Sequence, residues 1–172
     1  MRTLLSTLSQ LFLGLWLGGL VLFIILAGYA FGTLPGLFSD HAAGMHAAGL
    51  VVGGTLVRLH YLGMACGFIF LFLTLILSRF AHWHSYAPSA LLVLVMIVLT
   101  AYSQFSIIPK MDTARDAVGG EITAVAENNP GREIFDHLHH LSTQVEGTIM
   151  ICGFLAFLLG GRVQKARPVK IL

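Results

Sequence analysis

Charge is what this chain lacks most. Asp, Glu, Lys and Arg make up 10% of the sequence, against roughly 25% in an ordinary soluble domain. With 56% hydrophobic residues and a mean hydropathy of +0.84, that deficit excludes a large soluble domain and points to a lipid environment. The formal net charge of +2 is too small to attract nucleic acid. Cysteine is also scarce. Cys66 and Cys152 are the only two and both lie inside apolar runs, which excludes a disulfide framework or a zinc motif and reads as buried thiols. No nucleophile–base pair and no phosphate-binding glycine loop is present. No enzyme activity is therefore assigned, and only cofactor-based redox chemistry stays open.

What is abundant is long apolar sequence. Four stretches reach the ~20 residues needed to cross a bilayer, predicting an all-α integral membrane protein: a four-helix transmembrane bundle in a single domain spanning 1–172. The helices are expected at about 8–31, 41–79, 87–109 and 133–161, with a polar outer loop over 110–132. The first is too long for the apolar core of a signal peptide and reads as a retained helix. Arg2, Arg79, Arg162, Lys165, Arg167 and Lys170 fall on one side, while most acids fall on the other. The positive-inside rule then places both termini inside. Tyr29 would anchor the outer interface, and Trp83 and Tyr86 the inner one. Ser39 or Asp40 suits the cap of the second helix, and Pro130 the first turn of the fourth. Gly14 and Gly18, spaced for close helix packing, suggest that helix 1 is a contact helix.

The two halves resemble one another. Phe31–Pro35 and Phe105–Pro109 both read F-x-x-x-P, and each is followed by Leu-His-x-Leu, at Leu59–Leu62 and Leu138–Leu141, and then by an apolar run ending at Arg79 or Arg162. This ordered repeat predicts two helical hairpins in the same orientation, related by an axis along the membrane normal. It sets His60 and His139 at levels within ~6 Å of each other along the bundle. Ionisable residues at that depth face the bundle interior and need partners. Helix 4 offers His139, Thr143 and Glu146 on one face, helix 2 offers Arg58, and the end of helix 3 offers Tyr102, Ser103 and Gln104. Glu146 is the only acid within a span, so Arg58–Glu146 is the expected ion pair.

Three readings stand open for the two histidines. The first is interhelical hydrogen bonding that fixes helix register. The second is axial ligation of a haem by His60 and His139. The third is a copper-like ion held by His60, His139 and Glu146, with Arg58, Thr143 and Gln104 as polar support. Met64 with Cys66, and Met150 with Cys152, sit deeper and suit a soft metal by chemistry. Each pair is two apart on its helix, however, so core packing is the expected role. His41, His46, His137 and His140 read as interfacial and solvated, and His82 and His84 belong to no site.

At these residues the chain resembles the transmembrane protein 205-like family, known in bacteria as an uncharacterised four-helix domain. The matching stretches are "LPGLF", "AAGLVVGGTLVRLHYLG", "SQFSIIPKMDTAR" and "FDHLHHLSTQVEG", in order along roughly residues 5–160. The family pattern falls on His60, Phe135, His139, Leu141 and Ser142, and Glu146 stands where the family often has Asn. The resemblance implies a multi-pass protein of the bacterial inner membrane. A carboxylate in place of an amide implies charge pairing or proton handling. A more distant likeness to copper-resistance-D-like membrane proteins and to a haem-pathway membrane oxidase is architectural, and implies haem or metal handling only by analogy. The expected function is binding or transport of a haem or copper-like ion between helices 2 and 4. The alternative is an accessory structural subunit of a larger membrane complex. The expected partners are the lipid bilayer, other membrane subunits or a second copy of the chain.

Overall fold

The computed structural model describes residues 2–79 and 85–165, with side chains to residue 161. Trp83, His82, His84, Arg167 and Lys170, and the side chains of Arg162 and Lys165, lie outside that description. Of the described residues 91% are helical, and none is in a strand. The main helices are α1 (Arg2–Thr33), α2 (His41–Ser78), α3 (Ala87–Tyr102), α4 (Ile108–Ala117) and α5 (Pro130–Lys165). A five-residue π turn, Ser103–Ile107, joins α3 to α4. Taken together they give four helices long and apolar enough to cross a membrane: Arg2–Leu37, His41–Ser78, Ala87–Ala117 and Pro130–Gly161.

Local chemistry sets the boundaries. Pro35 sits in a short tight turn, Leu34–Leu37, which ends the first span. The Asp40 carboxylate accepts the Ala42 N–H at 3.0 Å and caps α2, satisfying one of the donors a helix start leaves unpaired. Asn129 does the same for α5, where its Oδ1 accepts the Gly131 N–H at 2.9 Å and Pro130 fills the first position. The third span continues past Pro109 to Ala117, so residues 110–117, expected in the outer loop, are helical. Gly119 and Gly120 stop it. Both have positive φ, and their N–H groups return to Asp116 O and Arg115 O, the left-handed C-terminal closure that glycine permits.

Helix α1 packs on α2, α2 on α3, α3 on α5 and α5 on α1. The spans therefore form a closed ring, with α2 and α5 on one diagonal. The bundle is packed around Leu13, Trp16, Phe70, Val93, Met96 and Ile149, each 0–2% exposed. Its outward face is apolar as well. Leu22, Ile25, Phe72, Leu91, Val98 and Ile151 are 59–67% exposed, as suits a bundle surrounded by lipid. Close approach of α1 to α2 depends on Gly63 and Gly67, spaced one turn apart. A Cβ on either would run into the Trp16 indole. The expected small-residue seam at Gly14 and Gly18 is looser: a Cβ at Gly14 would make ordinary contact with Phe157, and one at Gly18 would meet nothing.

Candidate functional site

Near the end of the bundle that carries the 34–40 and 118–129 connections, three helices send polar side chains to the central axis. Helix α2 contributes His60, on the stripe that also carries Gly63, Gly67 and Phe70, all buried. His60 is 1% exposed. The π turn contributes Ser103 and Gln104, both buried. Ile108 N–H reaches back to Ser103 O across this wider turn. Pro109, just beyond it, has no N–H to give, so the ladder is already interrupted there. Helix α5 contributes Glu146 across the diagonal.

The contacts among these four are short. His60 Nδ1 faces Gln104 Oε1 at 3.0 Å. His60 Nε2 faces Glu146 Oε1 at 2.8 Å, with the two side chains 2% and 15% exposed. Ser103 Oγ donates to the same Glu146 Oε1 at 3.1 Å. The other carboxylate oxygen, Glu146 Oε2, is buried and accepts nothing. A carboxylate taken out of water stands only when paired and hydrogen-bonded, and here one of its oxygens carries all of that work.

The site can hold a proton, and the hydrogen count shows where. Gln104 Oε1 has no hydrogen, so Nδ1 must donate. The 2.8 Å contact on the other side needs one hydrogen between Nε2 and Oε1, whichever atom carries it. With that proton present the pair is neutral overall, and without it a net negative charge is left in the interior.

The sequence-predicted site residues are only partly gathered. His60, Glu146 and Gln104 come together. His139 does not join them: it is exposed and stacks on Phe135 at 6.2 Å between ring centroids. The Arg115 guanidinium also lies over Phe135, 5.3 Å from its centroid. Thr143 is exposed and gives its hydroxyl to His139 O. Arg58 turns back along its own helix to Gly54 O at 2.8 Å, so the partner of Glu146 is His60 rather than Arg58. Among the described residues no three of His, Cys, Asp and Glu converge as a metal site would require, and His60, His139 and Glu146 therefore do not form one. Cys66 is a free, buried thiol of the core, and Met150 and Cys152 pack against that core. His137 and His140 are exposed.

Ser103 is the member that the sequence reading named without assigning a role. The signal was its place beside Gln104 and one turn from Thr100, a polar cluster in an otherwise apolar span.

No curated protein and no solved structure matches the chain. A family model does match, over residues 11–119, taking in His60, Ser103 and Gln104 and stopping short of α5 and Glu146. Because that match covers more than half of the sequence, the chain belongs to the family defined by the DUF4149 domain of unknown function.

Proposed function

We propose that this is a proton-binding protein of the membrane, with the buried His60–Glu146 pair as its working element. The observation that carries the reading is the 2.8 Å contact between Nε2 and Oε1 inside a span. Ionisable groups in that position are costly and serve proton or ion pathways far more often than they serve packing. Gln104 fixes the imidazole by its far nitrogen, and Ser103 steadies the carboxylate. The proton then moves on a short, oriented axis.

Haem or a copper-like ion between His60 and His139 has less support. Both His60 nitrogens face hydrogen-bonding partners, and His139 is on the surface against Phe135. An accessory-subunit role would rest on the exposed apolar face of the bundle, which lipid covers equally well. The likeness to transmembrane protein 205-like proteins, and with it a bacterial inner-membrane location, rests on the four quoted stretches, and Glu146 in place of the family's Asn departs from it.

The test is nitrogen-15 NMR of histidine-labelled protein in bilayers, paired with infrared spectra of the Glu146 carboxyl. Both signals are expected to change together as pH is varied, and the joint change should disappear in Glu146→Gln. A His60 signal fixed in one form wherever the protein stays folded would sink the reading. A Soret band or stoichiometric copper in purified protein would restore the haem or metal reading.

A further inference from the structure

Two enclosed oxygens near this site have no partner. One is Glu146 Oε2, and the other is the Thr100 hydroxyl. Thr100 is 1% exposed and sits one turn before Ser103. Its hydroxyl behaves unlike those of four other helical threonines in the molecule. Thr55, Thr113, Thr143 and Thr148 each donate to the carbonyl four residues back, at 2.8–3.0 Å. Thr100 does not, so its donor is held in reserve within the bundle.

Resting on the proton-binding reading, we propose that Thr100 Oγ1 and Glu146 Oε2 bind one neutral water molecule, which makes Thr100 a positioning residue for the carboxylate. Side chains three apart on a helix have Cβ atoms about 5–6 Å apart, and Ser103 Oγ is 3.1 Å from Glu146 Oε1. Thr100 is thus one helical turn from the side chain that bonds the carboxylate, and its own hydroxyl is enclosed and unpartnered. A buried water needs two to four polar partners. These two oxygens satisfy that requirement, while the water supplies the donor that Oε2 lacks.

Charge decides the kind of ligand. While the histidine–carboxylate pair holds its shared proton it is neutral, and in that state a sodium, potassium or ammonium ion would add an uncompensated charge to the interior. A neutral donor adds none. The water also gives the carboxylate a second hydrogen-bonded route, running Nε2, Oε1, Oε2, water and Thr100. Past Thr100 toward the opposite end the centre is Met96, Val93, Phe70 and Ile149, and the next buried polar side chain on α2 is Thr74.

The wild-type protein in bilayers provides the first readout. Water-edited solid-state NMR should show transfer from a bound water to both the Glu146 carboxyl carbon and Thr100 Cβ. The second is the Glu146 carboxyl band in the infrared. It should shift in Thr100→Val, which keeps the shape and removes the hydroxyl, and return to its wild-type position in Thr100→Ser. No water transfer, or an unshifted band in folded Thr100→Val, would overturn the water site while leaving the proton-binding reading intact. A band that moves when sodium, potassium or ammonium is titrated would replace the water with a cation. Failure of His60 and Glu146 to change protonation in wild type would instead remove the parent reading.

Discussion

The His60–Glu146 pair makes a sharp energetic prediction. In Glu146→Leu the imidazole keeps Gln104 but loses its partner on Nε2, in a position where His60 is 1% exposed. Ser103 loses its acceptor as well. Removing one member of a buried charged pair costs about 3–5 kcal/mol, and His60→Leu should cost the same for the reverse reason, stranding the carboxylate. Glu146→Gln keeps an oxygen for Ser103 and Nε2 and gives up only the charge assistance, so about 1–2 kcal/mol is expected. The double variant His60→Leu with Glu146→Leu removes both ends together. It should be little worse than either single variant, which sets a coupling of at least ~2 kcal/mol. The assay is reversible unfolding of the four proteins in one mixed-micelle system. If the double variant lost the sum of the two single losses to within ~0.5 kcal/mol, the two side chains would not interact and the site described here would be wrong.

Arg58→Leu and Glu146→Gln should add to within ~0.5 kcal/mol in the same assay, because Arg58 bonds its own helix at Gly54 and shares no partner with Glu146. Gly63→Ala or Gly67→Ala should each cost about 1–3 kcal/mol by overpacking against Trp16 and should alter tryptophan emission, whereas Gly28→Ala, with open space around it, should do neither. Gly119→Ala should cost about 1–2 kcal/mol in thermal unfolding, since its φ of 82° is one that L-residues adopt only under strain.

The spans were legible because lipid demands long apolar runs, and the helix starts because Asp40 and Pro130 suit the first turn of a helix. The turn of the two histidines was not legible from their shared Leu-His-x-Leu setting. In water, polarity marks the outside of a helix. In a bilayer both faces are apolar and that mark is lost. A subtler mark survives in small residues. On α2 the buried stripe runs through His60, Gly63, Gly67, Phe70 and Thr74, and the two glycines locate the face where another helix must come close. On α5 the buried stripe runs through Ser142, Val145, Ile149, Gly153 and Ala156. His139 lies off it, and Glu146 lies on its edge.

The third span shows why a repeat in sequence need not be a repeat in structure. Both F-x-x-x-P segments place a proline where a helix must give way. At Pro35 the chain ends its span in a tight turn. At Pro109 it does not end. The helix widens to a π turn over Ser103–Ile107 and runs on to Ala117. A turn that closes five residues back spreads its residues at a smaller angle than the 100° of an α-helix, so two neighbours, Ser103 and Gln104, can both face the axis. One then reaches the carboxylate and the other the imidazole. The local departure from regular helix thus lies within the polar centre, and its first two residues supply partners for Glu146 Oε1 and His60 Nδ1.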